Sequence, residues 1–174
     1  MAVRYTAYCT KPAAGVTPQQ LLVGVREADL VTIAANDGVP EELAESAEEH
    51  LAIVDMAPDS PFEFYRLVYR PGDVRQIDVE RWSSIDEVRG ELAELIEDLE
   101  AEGDPILPKI RPHLDSVVDI VDASFGSSPG EVMAPILASE VTRWLAAQFG
   151  GIIRAADDTW WQLGPVGEYV ELTP

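Results

Sequence analysis

The segment Ser84-Ile85-Asp86-Glu87 constrains this chain more than any other. A serine followed three residues later by glutamate is a capping box, in which side chains satisfy the free N–H groups of a first helical turn. Val88, Leu92, Leu95, Ile96 and Leu99 then recur at helical spacing until Gly103 stops the pattern. The result is a long helix with one apolar stripe, which needs an apolar surface to lie on. Stretches that alternate in polarity supply one. Residues 4–10 have strand composition, and Phe62 to Arg70 and Val74 to Trp82 flank Pro71-Gly72-Asp73 as a hairpin. Gln76, Asp78 and Glu80 alternate with Ile77, Val79 and Arg81, which predicts a sheet wet on one face.

The remaining elements follow from the same signals. Thr17-Pro18-Gln19-Gln20 opens a helix to about Asp29, and Leu30 to Ala34 reads as a short buried strand. A short acidic helix is expected from Pro40 to about His50, with Leu43 and Ala47 inward; Leu51 to Val54 is either a strand or the tail of that helix. A Pro-rich connection (Pro105, Pro108, Pro112) leads to a strand over Ser116 to Phe125. Ser128-Pro129-Gly130-Glu131 is a third capping box, opening a helix with Val132, Ile136, Leu137, Val141, Trp144, Leu145 and Phe149 inward and Gly150-Gly151 at its end. Ile152 to Arg154 and Thr159 to Leu163 form a terminal hairpin around Asp157-Asp158, with Tyr169 to Leu172 as an edge strand. The expected fold is α+β: one domain over 1–174, a mostly antiparallel sheet and helices packed on one face. The recurrence of strand, loop, [Ser/Thr]-Pro-x-[Gln/Glu] and helix suggests two ferredoxin-like split β-α-β halves.

Charge is the extreme property. Thirty-two acids against twelve bases leave a net charge of −20. Such a surface repels nucleic acid and anionic membranes and draws in basic proteins. No Lys or Arg occurs from Glu27 to Tyr65, where eleven acids fall, and ten acids lie between Glu80 and Asp104 against Arg81 and Arg89. This clustering points to a directed acidic face. At about 100° per residue, Glu87, Glu91, Glu94 and Asp98 form one stripe beside the apolar one. Like charges four apart oppose the helix, so an uncompensated stripe suits a receptor for an Arg/Lys-rich surface. The competing reading is general acidity from a GC-rich genome or a salty habitat, consistent with only two lysines, Lys11 and Lys109. No stretch approaches the roughly 18 apolar residues of a membrane helix, and no signal peptide is evident, so the cytoplasm is expected.

Catalytic and metal signals are sparse. Asp115, Asp119 and Asp122 could be a carboxylate cluster, but on one strand 122 points away from 115 and 119. Cys9 with His113 or His50 lacks a nucleophile turn, and Gly150-Gly151 follows a helix where a phosphate loop precedes one. No catalytic residue, metal ligand or cofactor site is therefore assigned. Trp160-Trp161 is different: adjacent strand residues face opposite sides, so one tryptophan should lie on the outer face, either as an interface anchor or covered by a second layer or a terminal strand.

The run Trp144-Leu145-Ala146-Ala147-Gln148-Phe149-Gly150-Gly151-Ile152-Ile153, with Asp157-Asp158-Thr159-Trp160-Trp161, resembles the C-terminal segment of small bacterial immunity-type proteins of polymorphic toxin systems. The resemblance covers about 30 residues. It implies a non-enzymatic cytoplasmic protein that neutralises a toxin by binding it. The expected function is an acidic binding protein for a basic protein partner, with Glu87, Glu91, Glu94, Asp98, Trp160 and Trp161 as contact residues. The alternative is a stand-alone bacterial protein whose acidity reflects habitat, with a small-ligand role or, behind that, an enzymatic one.

Overall fold

The computed structural model describes residues 2–54, 56–57, 61–70, 72, 76–128 and 130–174. Eight strands form one antiparallel sheet: β1 (Ala2–Cys9), β2 (Ala52–Val54), β3 (Phe64–Val68), β4 (Gln76–Trp82), β5 (Asp119–Gly126), β6 (Gly151–Arg154), β7 (Trp160–Leu163) and β8 (Tyr169–Leu172). Their order is β2-β3-β4-β5-β1-β6-β7-β8. The helices among the described residues are α1 (Pro18–Arg26), α2 (Leu30–Asn36), α3 (Glu41–His50), α4 (Ile85–Glu102), α5 (Leu107–Leu114) and α6 (Met133–Phe149). The fold is α+β. Strands β5 and β6, joined by α6, flank β1 on either side, whereas β1 and β2 stand three strands apart. The strand order therefore does not carry a repeat of two ferredoxin-like halves.

Helices cover both faces of the sheet, not one. On the first face α1, α2, α3 and α6 bury Leu21, Leu30, Ala44 and Leu137 against Tyr65, Ile77, Val79, Val121 and Ala123. Close approach of α1 to α6 depends on Gly24, where a Cβ would overlap the Trp144 indole. On the second face α4 and α5 bury Val88, Leu92, Leu95, Leu99, Ile110 and Leu114 against Tyr8, Ile120, Ile152 and Trp160. Runs such as Ala7-Tyr8-Cys9 and Ile120-Val121 are buried on both faces, the pattern of doubly covered strands. The alternating half of β4 stays wet because α4 does not reach it.

Several expected elements differ. Leu30 to Ala34 is helical because the Asp29 carboxylate caps the Thr32 N–H at 3.0 Å. In α3 it is Ala44 and Ala47 that face inward, while Leu43 is 41% exposed. The Pro-rich connection holds α5: Pro108 occupies the first turn, where a missing N–H costs nothing, and Pro112 lies inside the helix. Asp115 ends that helix, so it is not a strand residue. α6 starts at Met133 with Val132 as cap and no side-chain cap bond, so the box at Ser128 does not open it; Pro129 is outside the described residues. Leu51–Val54 resolves as β2 at residues 52–54. Of the Pro71–Asp73 loop only Gly72 is described, at φ +70°. No described helix is long and apolar enough to cross a membrane.

Candidate functional site

α4 is the element around which both candidate surfaces form. Ser84 accepts the Glu87 N–H at its start, and Gly103 ends it in the left-handed conformation. Its buried stripe faces the sheet, which leaves two flanks open.

On one flank lie Glu87, Glu91, Glu94 and Asp98. Glu91 is half-buried and the other three are exposed. None of the four makes an ion pair with a described residue. Glu91 borders the uncovered part of the sheet, where its charge acts on Asp122 together with that of Glu80. Asp122 is buried at the centre of this surface, between β1 and β4. It accepts the Thr6 hydroxyl at 2.6 Å and pairs with the half-exposed Arg4 at 3.4 Å. Burial raises its carboxyl above the usual range, and the negative Glu91 and Glu80 push the same way against Thr6 and Arg4. The open sheet face beside α4 is of mixed charge, since Arg4, Arg66 and Arg154 share it with Asp78, Glu80 and Asp122, so the uncompensated acidity lies on the α4 flank itself.

The Asp122 environment has a sign that can be checked. A carboxyl whose folded pKa lies above its unfolded value binds its proton more tightly when folded. Its stabilising share is full below the ordinary Asp value and is lost as pH rises through the raised one. The Asp122→Asn variant keeps an acceptor for Thr6 without the charge. It should be more stable than the parent at pH 7, and the gap in urea midpoint should close as pH falls toward 3.5. A gap independent of pH would disprove this account of Asp122.

The other flank of α4 was not legible in the sequence. There α4, α5 and residues 116–119 enclose an open groove of about 1020 Å³. Val88, Leu92 and Ile96 form one wall and Leu114, Val117 and Val118 another, with Ile85 at the lip. Ile85 is 62% exposed and Val118 41%. One end is closed by Arg81, whose Nε donates to Asp119 at 2.9 Å and whose Nη1 donates to the Phe62 carbonyl at 2.7 Å. At the other end Arg111 pairs with Glu100 and Asp115. Arg89 also lines the groove and has no ion pair with a described residue.

The remaining candidates are placed as follows. Trp160 is 3% exposed and tilts against Tyr8 at 5.4 Å, so it belongs to the core and not to a surface. Trp161 faces the α6 side, half-buried beside Tyr169, and its indole N–H donates to Thr159. The two tryptophans do face opposite sides: the α4–α5 layer covers Trp160, and Trp161 is partly covered beside α6. Asp119 and Asp122 point to opposite faces, and no group of three potential metal ligands converges among the described residues. Burial, with the nearby Asp119 charge, pushes the Cys9 thiol up to about 12. His113 meets the Tyr8 carbonyl and His50 the Ser46 carbonyl, each at 2.8 Å. Cys9 should accordingly resist a thiol reagent at pH 8 until urea unfolds the protein; rapid labelling of the folded chain would show the thiol to be exposed.

No family model, curated protein or solved structure matches this chain.

Proposed function

We propose that this protein is a non-enzymatic binding protein that receives a basic protein partner on the acidic flank of α4, in the manner of an immunity-type inhibitor. The observation that carries the reading is the unneutralised stripe. Glu87, Glu91, Glu94 and Asp98 run along one flank without an ion pair to a described residue. Repulsion along such a stripe opposes folding by a few tenths of a kcal/mol per pair, and an Arg/Lys-rich surface would relieve it on docking.

A second reading has its own support. Glu41, Glu42, Glu45, Glu48 and Glu49 of α3 serve the opposite face of the sheet and make no ion pair with a described residue either. Acidity on both sides fits a chain adapted to its habitat.

One experiment separates the two. The stripe is replaced by Glu87→Gln, Glu91→Gln, Glu94→Gln and Asp98→Asn, and association with a copurifying basic protein is timed at two salt concentrations. Steering by exposed charge acts on the on-rate and fades as the Debye length falls from about 10 Å at 0.1 M to about 3 Å at 1 M. The variant should associate more slowly at low salt and converge with the parent at high salt, with its fold unharmed or slightly stabilised. Unchanged kinetics with reduced solubility would favour habitat acidity and end the acidic-flank reading.

A further inference from the structure

We infer that the groove between α4 and α5 is a docking site for an amphipathic helical segment of a protein, its apolar face inward and its flanks basic. The inference rests on the reading above only for the sign of the partner's charge.

The groove differs from the rest of this surface. In a chain of net charge −20, its accessible aliphatic lining is Ile85 and Ile96 on α4 with Val117 and Val118 opposite, over core side chains Val88, Leu92 and Leu114. The charges at its ends are already matched, Arg81 by Asp119 and Arg111 by Glu100 and Asp115. A partner therefore enters without stripping water from unpaired charge, except at Arg89 and Glu97 on the rim. A charge-poor centre within a charged surround is the anatomy of a protein-binding hot spot.

Length and charge select the occupant. From Ile85 to Glu100 the α4 wall extends about 22 Å at 1.5 Å per residue, four turns of a partner helix. A small ligand would fill only part of that length and stay wet on its open side. An anionic amphiphile would be repelled by the surrounding acids. A basic helix is attracted by the chain's net negative charge, and one of its cations can reach Glu97, the rim carboxylate that makes no ion pair with a described residue.

The acid stripe and the groove lie on opposite flanks of α4, so their contributions separate kinetically. Charge acts on encounter, whereas apolar contact acts on residence. The probe is a 15-residue peptide with leucines at i, i+3, i+4, i+7 and i+11 and lysines elsewhere. A control of identical composition has the leucines dispersed around the helix. The variants Ile85→Ser and Val118→Ser alter exposed side chains, and urea midpoints confirm that they fold. The amphipathic peptide should bind at least tenfold more tightly than the control. Each variant should dissociate at least fivefold faster with association within twofold of the parent, and Ile and Val methyl resonances of the groove should shift on binding.

Equal binding of the two peptides, or variants that leave dissociation unchanged, would overturn the groove as a helix site. So would groove resonances that move with protein concentration alone, which would mark a second copy as occupant. Decanoate filling the groove where the peptide does not would overturn it as well, in favour of a small apolar ligand. Failure of the stripe variant to slow association, with the groove variants behaving as expected, removes the acidic-flank reading and leaves the groove in place. The reverse pattern removes the groove alone.

Discussion

Replacing Asp119 with alanine is expected to cost about 3–5 kcal/mol of folding stability, the largest single effect foreseen for this chain. One Asp119 oxygen accepts the Arg81 Nε at 2.9 Å and the Ala13 N–H at 2.7 Å. Arg81 in turn holds the Phe62 carbonyl at 2.7 Å. The carboxylate thus ties the loop after β1 and the segment before β3 to the end of β4. Both charged side chains are nearly enclosed, with 10% of Arg81 and 5% of Asp119 exposed. Alanine would leave a guanidinium and a backbone N–H short of an acceptor in a poorly solvated place. Asp119→Asn should lose less, because an acceptor remains for Ala13. Adding Arg81→Met to the alanine variant should recover part of the loss by removing the orphaned charge. Urea midpoints across this double-mutant cycle give the answer. A loss below about 1 kcal/mol for Asp119→Ala would mean that the pair is solvated and not a structural junction.

Leu95→Ala should cost about 2–5 kcal/mol, because the side chain is removed from a packed interior that cannot fully close over the gap. Leu95 is 7% exposed and belongs to the cluster in which α4 meets Tyr8, Ile120, Ile152 and Trp160. Only a few side chains of α4 and α5 hold this layer to the sheet, so the same change should also loosen Trp160. A red-shifted tryptophan emission before the main unfolding transition would report it. Glu94→Ala, one residue away and exposed, should stay within half a kcal/mol of the parent. Equal effects at the two positions would place the helix in the wrong register.

How much of this was legible in the chain depends on how local each signal was. α4 was legible to the residue: Ser84, the spacing of Val88, Leu92, Leu95 and Leu99, and Gly103 all act within one or two turns. The β6-β7-β8 edge and the acid stripe are equally local, the stripe because helix geometry alone puts Glu87, Glu91, Glu94 and Asp98 on one flank. Residues 30–34 are ambiguous by pattern because a run of Leu, Val, Thr, Ile and Ala suits a strand or a helix, and the Asp29 cap decides between them. α5 was missed because its prolines signal a break, although one sits where a helix tolerates it.

Which face each helix covers could not be read locally. Wet alternation in β4 argued for one open face, and it holds for that stretch, but α4 crosses to cover the far end of the same face over Tyr8, Ile120 and Trp160. Trp160 is buried for this reason alone. The groove lies further still from any sequence pattern, since its walls come from α4, α5 and residues 117–118, and it exists only when these pack side by side. The chain by itself determined its caps, its periodicities and the flank on which its charge falls, because these are set by bonds and contacts within a few residues. Only the tertiary structure decided what those surfaces face. Burial belongs to pairs of elements distant in sequence, and no element carries the identity of its neighbour.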